Sequence, residues 1–279
     1  MSDRCLLDKY LEEFQKYLIR EEKSKATVEK YIRDISVFFV FVSGKAVEKD
    51  TTIQYKHELQ MRNYSVRSIN SMLAALNHFL EFMGWHDCKV KMLRFQRQVY
   101  CAEEKELTID EYKRLLDASK ANPRLNLVIQ TICGTGIRVS ELKHFTVEAV
   151  LCGEVSVNCK GKIRTILIPK KLRHRLLEYA RKNKITSGII FVTKNGKPLD
   201  RSNIWSQMKQ LCRTARVNSS KVFPHNLRKL FARTFYKLEK DIAKLADILG
   251  HGSIETTRIY IMTTGREHQR KIDRLGLVT

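Results

Sequence analysis

The sequence lacks the features of a membrane protein, of a disulfide-stabilised domain and of a zinc site. Its longest apolar run rich in aromatic residues, Val37–Val42, is far shorter than the roughly twenty residues that a membrane-spanning helix needs. Acidic side chains at Asp3 and Asp8 argue against a signal peptide. The seven cysteines form no C-x-x-C pair, which is typical of reduced thiols inside a cell. These absences favour a cytoplasmic protein without a structural metal.

Acidic residues are far fewer than basic ones, and the basic excess is uneven along the chain. The 279 residues hold 52 Lys and Arg against 30 Asp and Glu, a formal net charge of +22. Residues 1–99 contribute only +4 of this charge, and residues 100–279 contribute +18. A field of this size attracts polyanions such as DNA, whereas solubility alone seldom requires so one-sided a balance.

Proline is absent from the first hundred residues, and apolar side chains recur there at three- and four-residue spacings. The stripes predict helices over residues 6–18, 28–42, 49–62 and 65–83, the first two of which are separated by the polar break Glu21–Lys25. We expect a four-helix, DNA-binding domain over residues 1–88 and a basic linker over 89–105.

Several polar residues near predicted helix starts, and in the linker, are candidates for DNA contacts, because helix starts can meet phosphates and base edges. A solvated helix face is an equally good interpretation of any one of them. The candidates are Lys25, Thr27, Lys30, Arg67, Asn70, Arg94, Arg201 and Asn203.

Residues 106–279 predict a second domain that is mostly helical. Thr108 and Glu111 have the spacing of a capping box, and Pro123 starts the next helix. Residues 154–168 change to strand periodicity around a glycine-containing turn, which predicts a β-hairpin. A short strand is expected over Gly188–Thr193. Further helices are predicted over residues 171–182, 202–217, 225–238, 241–249 and 253–262, with a tail over 265–279.

Three separated boxes carry side chains suited to phosphate chemistry. The first reads T-G-I-R-V-S-E-L over residues 135–142, the second reads H-N-L-R over 225–228, and the third reads L-G-H over 249–251. Tyr260 follows His251 by nine residues. Each side chain alone has an ordinary structural interpretation, but the set and its order do not.

This set of boxes resembles the tyrosine recombinase, or phage integrase, family in its small two-domain form without an arm-binding domain. The resemblance covers essentially the whole chain. It implies the catalytic residues Arg138, Lys160, His225, Arg228, His251 and the nucleophile Tyr260, with Glu141 as a supporting acid for His225 or Arg138. A surface salt bridge is the alternative for Glu141. Lys162 is the alternative to Lys160, because the hairpin turn is about one residue shorter than is common. Lys229 stands where the family often has a second histidine or a similar polar residue.

The resemblance also implies the architecture and the reaction. The fold would be mainly α with a small β-hairpin in the second domain, and the two domains would form a clamp around DNA. DNA would be cut and rejoined through a 3′-phosphotyrosyl intermediate and a Holliday junction, with no cofactor. A homotetramer would bind two DNA sites with specific core sequences and exchange its C-terminal tails. Accessory DNA-bending proteins and a nucleoid-associated location would fit a mobile-element recombinase.

Three other functions compete with this interpretation. A type IB topoisomerase uses similar chemistry, but the expected four-helix domain and exchangeable tail argue against it. A non-catalytic DNA-binding regulator would not need the intact set of six residues. A basic helical scaffold or RNA-binding protein leaves the spacing of the boxes unexplained.

Overall fold

The computed structural model describes residues 4–94, 105–159, 162–193, 195–262 and 265–276. The chain divides into two compact units, Met1–Arg97 and Gln98–Thr279. Both units are built mainly of helices, and the sheet of the described residues is one two-stranded antiparallel hairpin. Across these ranges, no helix has both the length and the apolar character needed to cross a membrane.

The first unit contains four helices, as the periodicity predicts. They are α1 (Lys9–Arg20), α2 (Lys25–Val42), α3 (Lys49–Met61) and α4 (Val66–Phe82), followed by a 3₁₀ turn at His86–Cys88. Ser24 and Ser65 are the N-caps of α2 and α4, and each accepts a bond from a backbone N–H in the first turn. Aromatic side chains fill the core between the helices, among them Phe14, Phe38, Tyr55 and Phe79.

The first helix begins three residues later than the apolar stripe predicts. Leu6 precedes it, and Leu7 is largely exposed. The reason is a tertiary contact: Cys5 forms an isolated antiparallel bridge with Ala46, and the carbonyl of Arg4 accepts a bond from the backbone N–H of Val47 at 3.0 Å. These bonds hold the start of the chain extended, so its leucines cannot join the helix.

The second unit contains nine described helices around the hairpin. The bounds are α5 (Ile109–Ala118), α6 (Pro123–Thr135), α7 (Val147–Cys152), β1 (Glu154–Cys159), β2 (Lys162–Leu167), α8 (Lys170–Lys182), α9 (Arg201–Ala215), α10 (Pro224–Glu239), α11 (Ile242–Leu249), α12 (Ile254–Ile261) and α13 (Gly265–Asp273). Two 3₁₀ segments, Val139–His144 and Ser219–Lys221, join them. The predicted capping box is present at Thr108 and Glu111.

The strand predicted over Gly188–Thr193 is wrong. The segment makes only isolated bridges, with Ile189 opposite Thr146 and Val192 opposite Pro198. Its apolar character has another cause, because Ile190 and Phe191 are buried in the core of the unit. A stretch that pairs with two different partners one residue at a time cannot extend a ladder.

The hairpin and the packing of α10 against α6 position the site. Glu154 pairs with Leu167 at the open end of the hairpin, and Cys159 pairs with Lys162 at the turn. Alternate residues of β2 point to opposite faces, so Ile163 and Leu167 are exposed while Ile166 is buried. Arg164 lies on the buried face with Ile166, and only 9% of its side chain is exposed.

Candidate active site

Arg138 lies directly after the C-terminal turn of α6. Gly136 ends the helix in the left-handed conformation with φ 66°, and Ile137 is fully buried behind it. The backbone N–H of Arg138 donates to Glu141 Oε2 at 2.7 Å, and Arg138 Nη1 donates to Glu141 Oε1 at 3.1 Å. Arg138 Nη2 donates to the carbonyl oxygen of Gly250 at 3.1 Å. One carboxylate therefore fixes both the backbone and the side chain of this arginine.

Arg228 lies on α10, four residues after Pro224 at the first helical position, and only 1% of it is exposed. Its Nη1 donates to the carbonyl of Gly136 at 2.5 Å, and its Nη2 donates to the carbonyl of Leu249 at 2.7 Å. Burial lowers the pKa of Arg228 to about 10, and the charge of Arg138 adds to this effect. The guanidinium therefore remains a cation at neutral pH.

The buried charge of Arg228 has no ion-pair partner in the part of the chain that the structure describes. Its Nε is also buried and makes no hydrogen bond to any described residue. A buried cation bonded only to neutral acceptors is unfavourable until an anion arrives. The surroundings of Arg228 are thus suited to binding a negatively charged group.

His251 follows the turn that ends α11. Gly250 takes a left-handed conformation with φ 62°, and the N–H of His251 donates to the carbonyl of Ala246 at 2.9 Å. His251 Nε2 lies 2.9 Å from Arg228 Nη2, and Nδ1 lies 2.8 Å from Thr257 Oγ1. Burial and the nearby charge of Arg228 lower the pKa of His251 to about 4. The ring is therefore neutral at neutral pH.

Tyr260 lies on α12 and is 7% exposed. Its ring centroid is 4.8 Å from that of His251 and 5.0 Å from that of His225. The guanidinium carbon of Arg228 lies 5.8 Å from the centre of the same ring. The ring of Tyr260 thus contacts the imidazoles of His225 and His251 and the guanidinium of Arg228.

His225 lies in the first turn of α10 and is exposed, apart from the side that faces Tyr260. Partial burial lowers the pKa of His225, and the charges of Lys229 and Arg228 lower it further. Its neutral imidazole can accept a proton from a neighbouring hydroxyl. Lys229 itself is half-buried.

Glu141 is buried, with only 4% of the residue exposed, so it does not form a surface salt bridge. Its Oε1 accepts from the side chain of Arg138, and its Oε2 accepts both from the backbone N–H of Arg138 and from Arg164 Nη2, the latter at 2.6 Å. In the described contacts it supports Arg138 and not His225. The two arginines neutralise a carboxylate that would otherwise be unfavourable at this depth.

Sequence reasoning did not single out Arg164 or Thr257. Arg164 joins three parts of the site, because its guanidinium bonds to Glu141 and, through Nη1, to the carbonyl of Ile248 at the end of α11. Strand alternation could have indicated it, since Arg164 shares the inward face of β2 with Ile166 and an inward arginine needs an acidic partner. Nothing in the sequence pattern indicates Thr257.

The remaining candidates are the two lysines of the hairpin and the residues proposed to contact DNA, and two of the latter bond to other parts of the protein. Lys160 lies outside the described residues, and Lys162 begins β2. Asn70 uses both polar atoms of its amide on the backbone of Leu93, at 2.8 and 2.9 Å, which assigns the amide to holding the segment after α4. Lys30 forms an ion pair with the buried Asp34.

The other candidates for DNA contact lie near helix starts or in the segment after α4. Thr27 shares a hydrogen bond of 2.8 Å with the N-cap Ser24 and is half-buried. The rest are exposed: Lys25, Arg67, Arg94, Arg201 and Asn203.

Comparison with known proteins matches both units of the chain. Residues 105–266 match the phage integrase family, and residues 11–86 match the phage integrase N-terminal SAM-like domain. The tyrosine recombinase XerA of Pyrococcus furiosus is 31% identical over 286 aligned residues, which cover 100% of this chain and 98% of XerA.

Two solved structures share the fold at 17% identity. A lambda integrase dimer bound to a COC′ core site gives a TM-score of 0.75 and covers 93% of this chain and 96% of that one. A lambda integrase tetramer bound to a Holliday junction gives 0.74, with coverage of 93% and 78%. Because the family match spans more than half of the chain and the XerA alignment spans all of it, the chain belongs to the phage integrase family of tyrosine recombinases.

Proposed function

We propose that this protein is a site-specific DNA recombinase that cuts and rejoins strands through a 3′-phosphotyrosyl intermediate and a Holliday junction. The observation that carries the proposal is the grouping of Tyr260 with His225, His251 and the buried cation Arg228, which has no carboxylate partner among the described residues. A tyrosine held beside an anion-binding arginine and a neutral base is what attack on a phosphodiester requires.

The first chemical step uses the side chains of the site in distinct roles. A free tyrosine has a pKa near 10, so only about one in a thousand is ionised at pH 7. His225 takes the phenolic proton of Tyr260, whose oxygen attacks phosphorus. Arg138 and Arg228 hold the non-bridging oxygens with their planar forks, and His251 donates one further hydrogen bond. The transition-state charge is thereby stabilised by groups already in place.

The step conserves bonds and protons. The bond between the Tyr260 oxygen and phosphorus forms, and the bond between phosphorus and the 5′-oxygen breaks. Lys160, with Lys162 as the alternative, gives a proton to the departing 5′-oxygen. The product is a 3′-phosphotyrosyl bond and a free 5′-hydroxyl, and attack by the 5′-hydroxyl of a partner strand reverses the step and completes the exchange. The phosphotyrosyl bond keeps the energy of the phosphodiester, so the proposed reaction uses neither ATP nor another cofactor.

The two units would share the binding of DNA. Residues 1–88 would act as the core-binding domain, residues 89–105 as a basic linker, and residues 106–279 as the catalytic domain, together forming a clamp around the duplex. The net charge of +18 on residues 100–279 supports this division. The contact residues would be the exposed candidates Lys25, Arg67, Arg94, Arg201 and Asn203, with Thr27 and Lys30 at the edge of the same helix start.

Recombination between two sites would require four copies of the chain. The tail over residues 265–279 would pass to a neighbouring copy, which is supported by the exposure of Ile272, in the last turn of the charged helix α13, and of Leu275, which follows it. The similar lambda integrase is a tetramer on a Holliday junction. Accessory DNA-bending proteins, a cytoplasmic, nucleoid-associated location and a role in a mobile element belong to the same proposal.

A covalent-adduct assay tests the function. DNA fragments bound by the full chain would be selected from a random library and nicked beside the bound site, so that the short leaving fragment diffuses away. The wild-type chain should then form a protein–DNA adduct that survives denaturation. Tyr260→Phe should form none, and Tyr236→Phe, a control on α10, should form it normally.

Other outcomes of the same assay would contradict the proposal. An adduct with Tyr260→Phe would rule out Tyr260 as the nucleophile. The absence of any wild-type adduct on bound DNA would favour a non-catalytic regulator. Relaxation of supercoiled DNA without any joined recombinant would favour a type IB topoisomerase.

A further inference from the structure

The two ring nitrogens of His251 have different roles in the structure. Nε2 lies 2.9 Å from Arg228 Nη2, and a guanidinium nitrogen can only donate a hydrogen bond. Nε2 must therefore be the acceptor. The single proton of the neutral ring then lies on Nδ1, which donates to Thr257 Oγ1 at 2.8 Å. The contacts thus define the tautomer of His251 in the free protein.

The proposed reaction needs the opposite tautomer. If His251 is to donate a hydrogen bond to the phosphate from the side that faces Arg228, Nε2 must carry the proton and Nδ1 must become an acceptor. The group that faces Nδ1 would then have to donate. A hydroxyl can do either by rotating its O–H bond, whereas a backbone N–H or a carbonyl cannot change role.

Thr257 is placed to make this change possible. It is fully buried, so bulk water does not reach its side chain. It also lies on α12 three residues before Tyr260, on the same side of the helix. The bond to His251 therefore ties the turn after α11 to the helix that carries the nucleophile.

We propose that Thr257 is a positioning residue for recombination, which holds the His251 ring in place. In the free protein its hydroxyl accepts a hydrogen bond from His251 Nδ1, and when phosphate is bound the same hydroxyl donates a hydrogen bond to Nδ1. This inference rests on the proposed function. The proton count of the ring is unchanged: Nε2 takes one proton from water at the half-exposed edge of the ring, and Nδ1 releases one to water while its bond to Thr257 is transiently broken. Arg228 meanwhile turns its Nη2 donor from Nε2 to a phosphate oxygen.

The test compares Thr257→Val, which keeps the shape but removes the hydroxyl, with Thr257→Ser, which keeps the hydroxyl. The rate of adduct formation on nicked DNA should fall about tenfold in Thr257→Val, as expected for one lost hydrogen bond. It should stay within about threefold of wild type in Thr257→Ser. Equal rates for Thr257→Val and wild type would overturn the inference, while the wild-type adduct itself would still support the proposed function.

A double-mutant cycle separates positioning from simple loss of structure. If Thr257 acts only through His251, Thr257→Val should cause no further loss of rate in a His251→Ala background. A full tenfold additional loss would show that Thr257 acts by another route. Nitrogen NMR of labelled histidine in the free, full-length protein should show His251 protonated at Nδ1, and protonation at Nε2 would overturn the assignment.

Discussion

The side chain of Arg164 lies directly against the α-carbon of Gly250. A Cβ atom built on Gly250 would be 2.5 Å from Arg164 Cδ and 2.8 Å from its Nε, closer than real Cβ atoms approach other atoms. Arg164 passes over this point to reach the carbonyl of Ile248 and the carboxylate of Glu141. The glycine of the L-G-H box is therefore required by a strand residue more than eighty positions earlier, in addition to its own left-handed φ of 62°.

We predict that Gly250→Ala destabilises the protein and impairs the site. The left-handed conformation costs an L-residue about 1–2 kcal/mol, and displacement of Arg164 would add to this loss. Urea unfolding should show a loss of at least about 2 kcal/mol together with slower adduct formation. Gly252→Ala is the matched control, because a Cβ there would meet open space and its φ is not in the left-handed range. Equal effects of the two substitutions would contradict the role of Arg164.

Arg228→Lys should cost both stability and activity, whereas Arg138→Lys should mainly cost activity. Lysine keeps the charge but cannot reproduce the fork that reaches the carbonyls of Gly136 and Leu249. Loss of these buried, charge-assisted bonds should lower the free energy of unfolding by about 2–3 kcal/mol. The side chain of Arg138 is 34% exposed, so water can replace some of the hydrogen bonds that are lost in Arg138→Lys. Urea unfolding and the adduct assay on both variants would check the difference, and equal stability of the two variants would contradict it.

Stability should fall as the pH falls from about 6.5 to about 4, and His251 should contribute to this fall. The unfolded ring takes up its proton near pH 6.5, but in the folded protein the pKa of His251 is about 4. A depressed pKa gives stability that is present above the unfolded value and is lost through this window. The difference between the two pKa values corresponds to about 3 kcal/mol of unfolding free energy. Because the ring is only half-buried, solvent screening reduces the expected loss of stability to about 2 kcal/mol.

The contribution of His251 can be isolated by comparison with His251→Gln. The free energy of unfolding would be measured by urea titration of both proteins at several values between pH 7 and pH 4. The free energy of unfolding of the wild type should fall more steeply with falling pH than that of His251→Gln, because only the wild type has this group to protonate on unfolding. His225, whose pKa is also lowered, remains in both proteins and cancels. A difference that does not vary with pH would contradict the lowered pKa.

Asn70→Ala should destabilise the first unit without a specific loss of DNA affinity. Asn70 holds the backbone of Leu93. About two turns further along α4, on the same face, Asn77 holds the backbone of Val90 with the same pair of bonds at 2.8 and 2.9 Å. Each substitution should cost about 1–2 kcal/mol. Trp85 fluorescence in a Trp205→Phe background would follow the first unit alone, since the chain has two tryptophans. A much greater loss of DNA affinity for Asn70→Ala than for Asn77→Ala would instead make Asn70 a DNA contact.

Much of the fold could be predicted because its signals are local. Helical periodicity marked α2, α3 and α4 to within a few residues, and the capping box at Thr108 marked the start of α5. The short helix α7 (Val147–Cys152) was not predicted, because six residues are too few to show a period. Gly188–Thr193 was predicted wrongly, since an apolar run does not specify whether a partner strand exists.

The sequence by itself determined the family, the uneven charge and the residues that could do the chemistry, because fixed spacings along the chain carry that information. Only the tertiary structure decided how these residues work together. It buried Glu141 between Arg138 and Arg164, left Arg228 as a cation without a described carboxylate partner, and gave His251 its tautomer through Thr257. Each of these properties depends on what solvent is excluded and on which donor meets which acceptor. Most of these partners lie on different helices and strands, and the spacing of residues along the chain does not specify which of them come into contact.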